Sequence, residues 1–193
     1  GEEQSGQIRD VGYELYQSML EETIAKIRDG EIDVISSMDN HWSPQINLGV
    51  SVLIPETYVA DLDVRLGLYR RLSSLNRKVE FEGFAAELID RFGNLPSEVN
   101  TLLLIVRIKS FCKKAGISKL DGGPKGATVQ FHNDKFISPE GLVDFINQQN
   151  GMAQVKDNKL IIKRDWHRNS DKFKGAFSIA KDLAEIAISY GKT

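Results

Sequence analysis

A chain of 193 residues with 41% hydrophobic and 27% charged residues has the composition of an ordinary soluble domain, which excludes a disordered or fibrous chain. The 25 Lys and Arg against 27 Asp and Glu leave a formal charge of −2, so no global positive field gathers a polyanion and any basic groove has to be local. The single cysteine, Cys112, closes no internal disulfide, and no apolar run approaches the roughly 20 residues that span a bilayer, so the expectation is a cytoplasmic protein without a membrane partner.

From Ile8 to Ile27 the apolar residues Ile8, Val11, Leu15, Met19 and Ile27 recur at helical spacing and Asp29-Gly30 supplies a stop, predicting a long N-terminal amphipathic helix. Ile46, Leu48, Val50, Val52 and Ile54 alternate with polar or small residues, the period of a strand that Pro55 closes. Leu62, Leu66, Tyr69 and Leu72 predict a helix over 61–75, with Arg65, Arg70 and Arg71 on its solvated side. A second helix over 79–92 buries Phe81, Ala85, Leu88 and Phe92 and is stopped by Gly93; Pro96 then opens a third that ends at Gly116.

The last third changes character. Residues 118–121 and 127–132 read as strands around the turn Gly122-Gly123-Pro124-Lys125-Gly126, and Ser138-Pro139-Glu140 opens a short helix to Gln149. A second hairpin is predicted from 155–156 and 159–163 around Asp157-Asn158, followed by a helix over 170–190 with Phe173, Phe177, Ala180, Ala184 and Ala187 on one face. Several amphipathic helices with short, locally paired strands predict an α+β fold, the helices packed on a small mixed or antiparallel sheet.

Motifs for catalysis are lacking. His41, His132, His167 and Cys112 lie far apart with no metal-ligand spacing, the Gly122–Gly126 segment has neither the phosphate-loop pattern nor its strand-to-helix context, and no GxSxG elbow occurs. Neither a metal nor a catalytic residue is expected. The run from Lys159 to Arg168, with Lys163, Arg164, Trp166 and Arg168, is the best local candidate for a nucleic-acid contact, although a partly buried loop anchor is the plainer reading of Trp166. On the 79–92 helix, Glu80, Glu87 and Asp90 gather on a stripe beside the apolar face, with Gly83 between them: either a solvated helix side or a docking ridge for a basic partner.

Three blocks carry a family resemblance. Gly1-Glu2-Glu3-Gln4-Ser5-Gly6-Gln7-Ile8, then Ile54-Pro55-Glu56-Thr57-Tyr58 with Asp61 and Arg65-Leu66-Gly67-Leu68-Tyr69, then Glu87-Leu88-Ile89-Asp90-Arg91-Phe92-Gly93-Asn94-Leu95-Pro96, resemble in order and spacing the C-terminal region of the bacterial transcription-repair coupling factors, the Mfd family. Gln4, Ser5 and Gly6 look like the end of the translocation motif shared with the RecG helicases. The resemblance divides the chain into residues 1–36, the end of that motif with a long linking helix, and 37–193, a regulatory α+β domain; the missing initiator Met fits a piece of a longer protein.

The resemblance implies a parent that binds stalled RNA polymerase, moves on duplex DNA using ATP and Mg held by domains outside this chain, and hands the lesion to the excision-repair protein UvrA. The resemblance implies that this non-catalytic domain, itself without cofactor, docks on the N-terminal UvrB-like module and hides the UvrA-binding surface. Glu87 and Asp90, supported by Glu80 and oriented by Arg91, are the residues it assigns to that interdomain interface. Two other readings stay open: an accessory DNA-binding module using the run from Lys159 to Arg168, with Lys163, Arg164, Trp166 and Arg168, and a bare structural or oligomerisation domain.

Overall fold

The computed structural model describes residues 42–50 and 53–191, so the predicted N-terminal helix and the translocation-motif residues Gln4, Ser5 and Gly6 lie outside the described residues. The described residues form an α+β fold of five strands and five α-helices, divided into two compact units. Of the described residues, 42, 43 and 53–106 fall in the first unit and 44–50 and 107–191 in the second, a division that falls inside a helix; the expected boundary at residue 36 lies outside the described residues.

The first unit is helical. Helix α1 (Leu62–Ser74) starts because the Asp61 carboxylate accepts the Val64 backbone N–H at 2.9 Å, and it buries Leu68, Tyr69 and Leu72. Helix α2 (Lys78–Phe92) buries Phe81, Phe84 and Leu88, so Phe84 is the core contact that the sequence pattern left out, while Ala85 and Phe92 are only half-buried. Gly93, at φ 91°, ends it with its N–H on the Ile89 carbonyl at 2.9 Å. Helix α3 (Ser97–Ala115) follows Pro96; its first part, with Val99, Leu102 and Val106 buried, belongs to this unit and its second part, from Arg107, to the other.

Side chains from separate segments tie the first unit together. The Tyr69 hydroxyl accepts the buried Ile54 N–H at 2.7 Å, and the Tyr58 hydroxyl reaches the Gly93 carbonyl at 2.8 Å and the Leu88 carbonyl at 3.1 Å, capping the end of α2. The Arg65 guanidinium donates to the Val59 and Ala60 carbonyls at 2.9 and 3.2 Å. These are residues of the sequence blocks that carry the family resemblance, and their work here is to join loop to helix.

The second unit is a five-stranded sheet in the order β1-β2-β3-β5-β4. The strands are β1 (Gln45–Asn47), β2 (Ile117–Gly123), β3 (Gly126–Phe131), β4 (Ala153–Lys156) and β5 (Lys159–Lys163); β1 runs parallel to β2 and all other pairs are antiparallel. The strand expected over 46–54 is much shorter, because the Asn47 side chain accepts the Gly49 N–H at 3.2 Å and Gly49 takes φ 71°, a turn that ends the ladder. The first hairpin turns on Pro124-Lys125 and the second on Asp157 and Asn158, both left-handed at φ 53° and 61°, as a two-residue primed turn requires.

Helix α4 (Pro139–Gln148), capped by the Ser138 hydroxyl on the Gly141 N–H at 3.1 Å, and helix α5 (Asn169–Tyr190) accompany the sheet, α5 against β2 and α4 against β4. Leu120, Val129, Leu160 and Ile162 from the strands and Ala176, Ala180, Leu183 and Ala184 from α5 are all nearly inaccessible to solvent, and the small residues of α5 are what let it lie close to the sheet.

Candidate functional site

Helix α2 carries the acidic stripe, and its geometry separates three roles that the sequence pooled. Glu80 is a cap. Its carboxylate accepts the backbone N–H groups of Asn76 and Arg77 at 2.8 and 2.7 Å, which complete the capping box of the helix and hold its pKa below the ordinary glutamate value.

Glu87 is the hub of an ion-pair cluster. The Arg71 guanidinium donates to it in a fork, Nη1 to Oε2 at 2.5 Å and Nη2 to Oε1 at 3.2 Å, and Arg91 Nη1 stands 3.6 Å from the same carboxylate. The hydrogen bond from Arg71 keeps the Glu87 pKa low and raises that of the guanidinium. Both arginines also stack on rings of α2, Arg71 at 5.0 Å from the Phe84 centroid and Arg91 at 4.9 Å from that of Phe92. Arg91 thus stands beside a carboxylate that is held chiefly by Arg71, a residue sequence reasoning left on the solvated side of its helix. The legible signal was the short connection 75–77, which makes neighbours of two helices of opposite charge.

Asp90 is the exposed acid. With Val79, Gly83 and Ala86 it forms the outermost line of α2, at positions i, i+4, i+7 and i+11, flanked by Glu82 and Ile89 on one side and Glu87 on the other. Val79 is 64% exposed and Ile89 45%, and Gly83 and Ala86 carry almost no side chain. The result is a low ridge on which a partner could approach the helix backbone closely, apolar along its crest and acidic at its edges.

The basic candidates of the second unit are not brought together as one surface. Lys163 is exposed on β5, but the Arg164 guanidinium donates to the Lys163 carbonyl and to Gln149 Oε1, and Arg168 pairs with Asp171 at 3.4 Å at the start of α5. Trp166 is 7% exposed, with its backbone N–H on the Pro124 carbonyl and its indole against Gly175 and Gly122, so it offers no ring for a base to stack on. Among the described residues no group of three or more His, Cys, Asp or Glu could hold a metal ion, and no helix is long and apolar enough to cross a membrane.

Comparison with known proteins gives these features a family. Residues 48–142 match the model of the TRCF domain. The chain is 48% identical over 162 residues to the transcription-repair-coupling factor of Rickettsia bellii (strain RML369-C), covering 83% of this chain and 14% of that protein. It is 33% identical over 149 residues to the transcription-repair-coupling factor of Escherichia coli (strain K12), covering 77% of this chain and 13% of that one. The chain thus spans about one seventh of the length of these curated relatives. Its fold matches a crystal structure of the C-terminal domain of a transcription-repair coupling factor, with a TM-score of 0.61 and 21% identity over 77% of this chain and 96% of the other. The family model and the curated relatives agree, on a fold shared with that crystal structure, that this chain belongs to the TRCF domain family of the transcription-repair-coupling factors.

Proposed function

We propose that this domain is the regulatory, autoinhibitory part of an ATP-dependent DNA translocase that couples transcription to excision repair, and that the α2 ridge is its docking surface. Its partner is a basic surface on the N-terminal UvrB-like module of the same longer protein. Docked there, the domain masks the UvrA-binding surface and restrains the motor until RNA polymerase is engaged; ATP, Mg and duplex DNA are handled by domains outside this chain. The names of the relatives, transcription-repair-coupling factors, support the coupling role.

The observation that carries this reading is the shape and charge of the ridge. Val79, Gly83, Ala86 and Ile89 supply a small apolar contact, while Asp90, Glu82 and the arginine-held Glu87 give it an acidic frame. A contact of this kind is complementary to a basic surface yet small enough to release, and a preference of a few kcal/mol keeps a tethered domain closed.

The test is an NMR titration of the labelled chain with the UvrB-like module of its parent, taken to about 1 mM because a contact made within one polypeptide can be weak between separate chains. Shifts centred on Val79–Asp90 that disappear in Asp90→Arg and in Glu87→Arg plus Asp90→Arg support the clamp. The single variant matters because it leaves the Arg71–Glu87 pair in place. Shifts elsewhere on the chain, or binding indifferent to Asp90→Arg, would sink it.

A further inference from the structure

The net charge of −2 conceals a division. The second unit, residues 44–50 and 107–193, holds sixteen Lys and Arg against nine Asp and Glu, a net of +7, and the remainder of the chain holds nine against eighteen, a net of −9. A polyanion would therefore meet a positive field at the second unit even though the whole chain is acidic.

Part of that charge is ordered by the sheet. Because Leu160 and Ile162 on β5 face the core, Lys159, Ile161 and Lys163 occupy the opposite face, and the ladder extends this face to its neighbours. Thr128 and Gln130 lie on it from β3, Gln154 and Lys156 from β4, Lys119 and Asp121 from β2, and Gln45 and Asn47 from β1. Lys156 pairs directly with Lys159, and Gln130 stands between Lys119 and Lys159 in one row. Strand spacing puts Lys119 about 10 Å from Lys159, and Lys163 lies about 13 Å further along β5. Within the described strands this face sets four lysines against one acid, Asp121, which is 3.7 Å from Lys119; Asp157 in the hairpin turn and Asp165 just past β5 flank it.

We propose that this sheet face binds the phosphate backbone of duplex DNA without reading its sequence. Lysines supply the charge, and Gln45, Asn47, Thr128, Gln130 and Gln154 supply neutral groups that hydrogen-bond phosphate and sugar oxygens. Among the described residues the face carries no aromatic side chain on which single-stranded bases would stack, and its one large apolar residue, half-buried Ile161, gives neither a membrane nor an acidic protein an anchor. The surface differs from the α2 ridge and does not depend on the clamp reading.

The test uses this 193-residue chain and a fluorescein-labelled 20-base-pair duplex of mixed sequence, followed by anisotropy from about 50 to 200 mM NaCl. Four phosphate contacts predict a log–log salt slope of roughly −3 to −4, and Lys159→Glu plus Lys163→Glu should weaken binding at least about ten-fold and flatten the slope by about 2. Lys159→Gln plus Lys163→Gln, which removes charge from exposed positions without adding acid, should give an intermediate loss. Lys174→Glu plus Lys181→Glu, the same charge change on exposed positions of α5, should alter affinity less than about two-fold. No duplex binding at 50 mM salt, equal loss in the α5 variant, or displacement of the duplex by poly-glutamate at equal charge concentration overturns the proposal, the last in favour of an acidic polypeptide.

Discussion

Arg71 holds both carboxylate oxygens of Glu87 while its guanidinium lies over the ring of Phe84. One side chain of α1 thus fixes an acid of α2 and covers part of the α2 core. Arg71→Ala removes both interactions, whereas Glu87→Ala removes the fork and the longer, exposed Arg91 pair but leaves the Phe84 ring covered, so the expected order of urea midpoints is wild type, then Glu87→Ala, then Arg71→Ala. Arg71→Lys should fall near Arg71→Ala, since an ammonium makes no fork and stacks poorly on the ring. Midpoints equal to that of wild type in all three variants would mean the cluster contributes nothing to folding.

The same cluster sets a pH dependence. Glu80 and Glu87 are both held below the ordinary glutamate pKa, by hydrogen bonds from backbone N–H groups and from Arg71 respectively. A carboxylate with a depressed folded pKa contributes stability that is complete above its unfolded value and disappears as pH falls through the folded one. Stability should therefore be flat in this respect at neutral pH and decline below about pH 4.5, the ordinary value, and Glu80→Gln and Glu87→Gln should each make that decline shallower. Acid titrations followed by circular dichroism measure it; a steeper decline in either variant would reverse the assignment.

Elements with a strong local signal were legible in the sequence: the helices that begin at Asp61 and Ser138 carry their caps, and the Asp157-Asn158 turn carries its left-handed residues. What was not legible depends on partners distant in the chain. The parallel pairing of β1 with β2 joins Ile46 to Leu120, and the alternation from Ile46 to Ile54 hid a turn set by the Asn47 side chain. At the candidate site, counting acids found Glu80, Glu87 and Asp90 but could not separate a helix cap and an ion-pair hub from an exposed charge, because that depends on where Arg71 and the Asn76 N–H point. The uneven charge of the two units was equally hidden until their boundary inside α3 was known.

Two helical glycines should respond with opposite sign to the same substitution. A Cβ at Gly83 meets nothing within 4 Å, so Gly83→Ala should stabilise the chain by roughly 0.5–1 kcal/mol through the lost flexibility of glycine. A Cβ at Gly175 would stand 2.2 Å from the Trp166 ring, so Gly175→Ala should destabilise by roughly 1–3 kcal/mol despite the better helix former. Denaturant unfolding decides both. A stabilising Gly175→Ala would show that Trp166 is free to move aside.

Cys112 is fully buried on α3, and burial pushes its thiol pKa up, well away from the range of reactive thiolates. In the native chain it should react with Ellman's reagent at least about a hundred-fold more slowly than in 6 M guanidinium, at a rate set by opening of the structure. Rapid native labelling would mean that this part of α3 opens easily.

The Ile54 N–H is buried and its acceptor is the Tyr69 hydroxyl, 2.7 Å away and 15 residues along the chain. Tyr69→Phe keeps the ring, which is 3% exposed, and deletes the acceptor, leaving a backbone donor without its hydrogen bond in a place water does not reach. The expected cost is about 1–3 kcal/mol, more than the net worth of an average hydrogen bond because the orphaned N–H keeps its full desolvation penalty. Tyr58→Phe is the natural comparison: its hydroxyl donates to the Gly93 and Leu88 carbonyls at the partly exposed end of α2, where water can replace it, so the loss should be smaller. Urea midpoints in the order wild type, Tyr58→Phe, Tyr69→Phe would show that the two tyrosines act by stitching loop to helix. The reverse order would mean that the end of α2 depends on Tyr58 more than its exposure suggests.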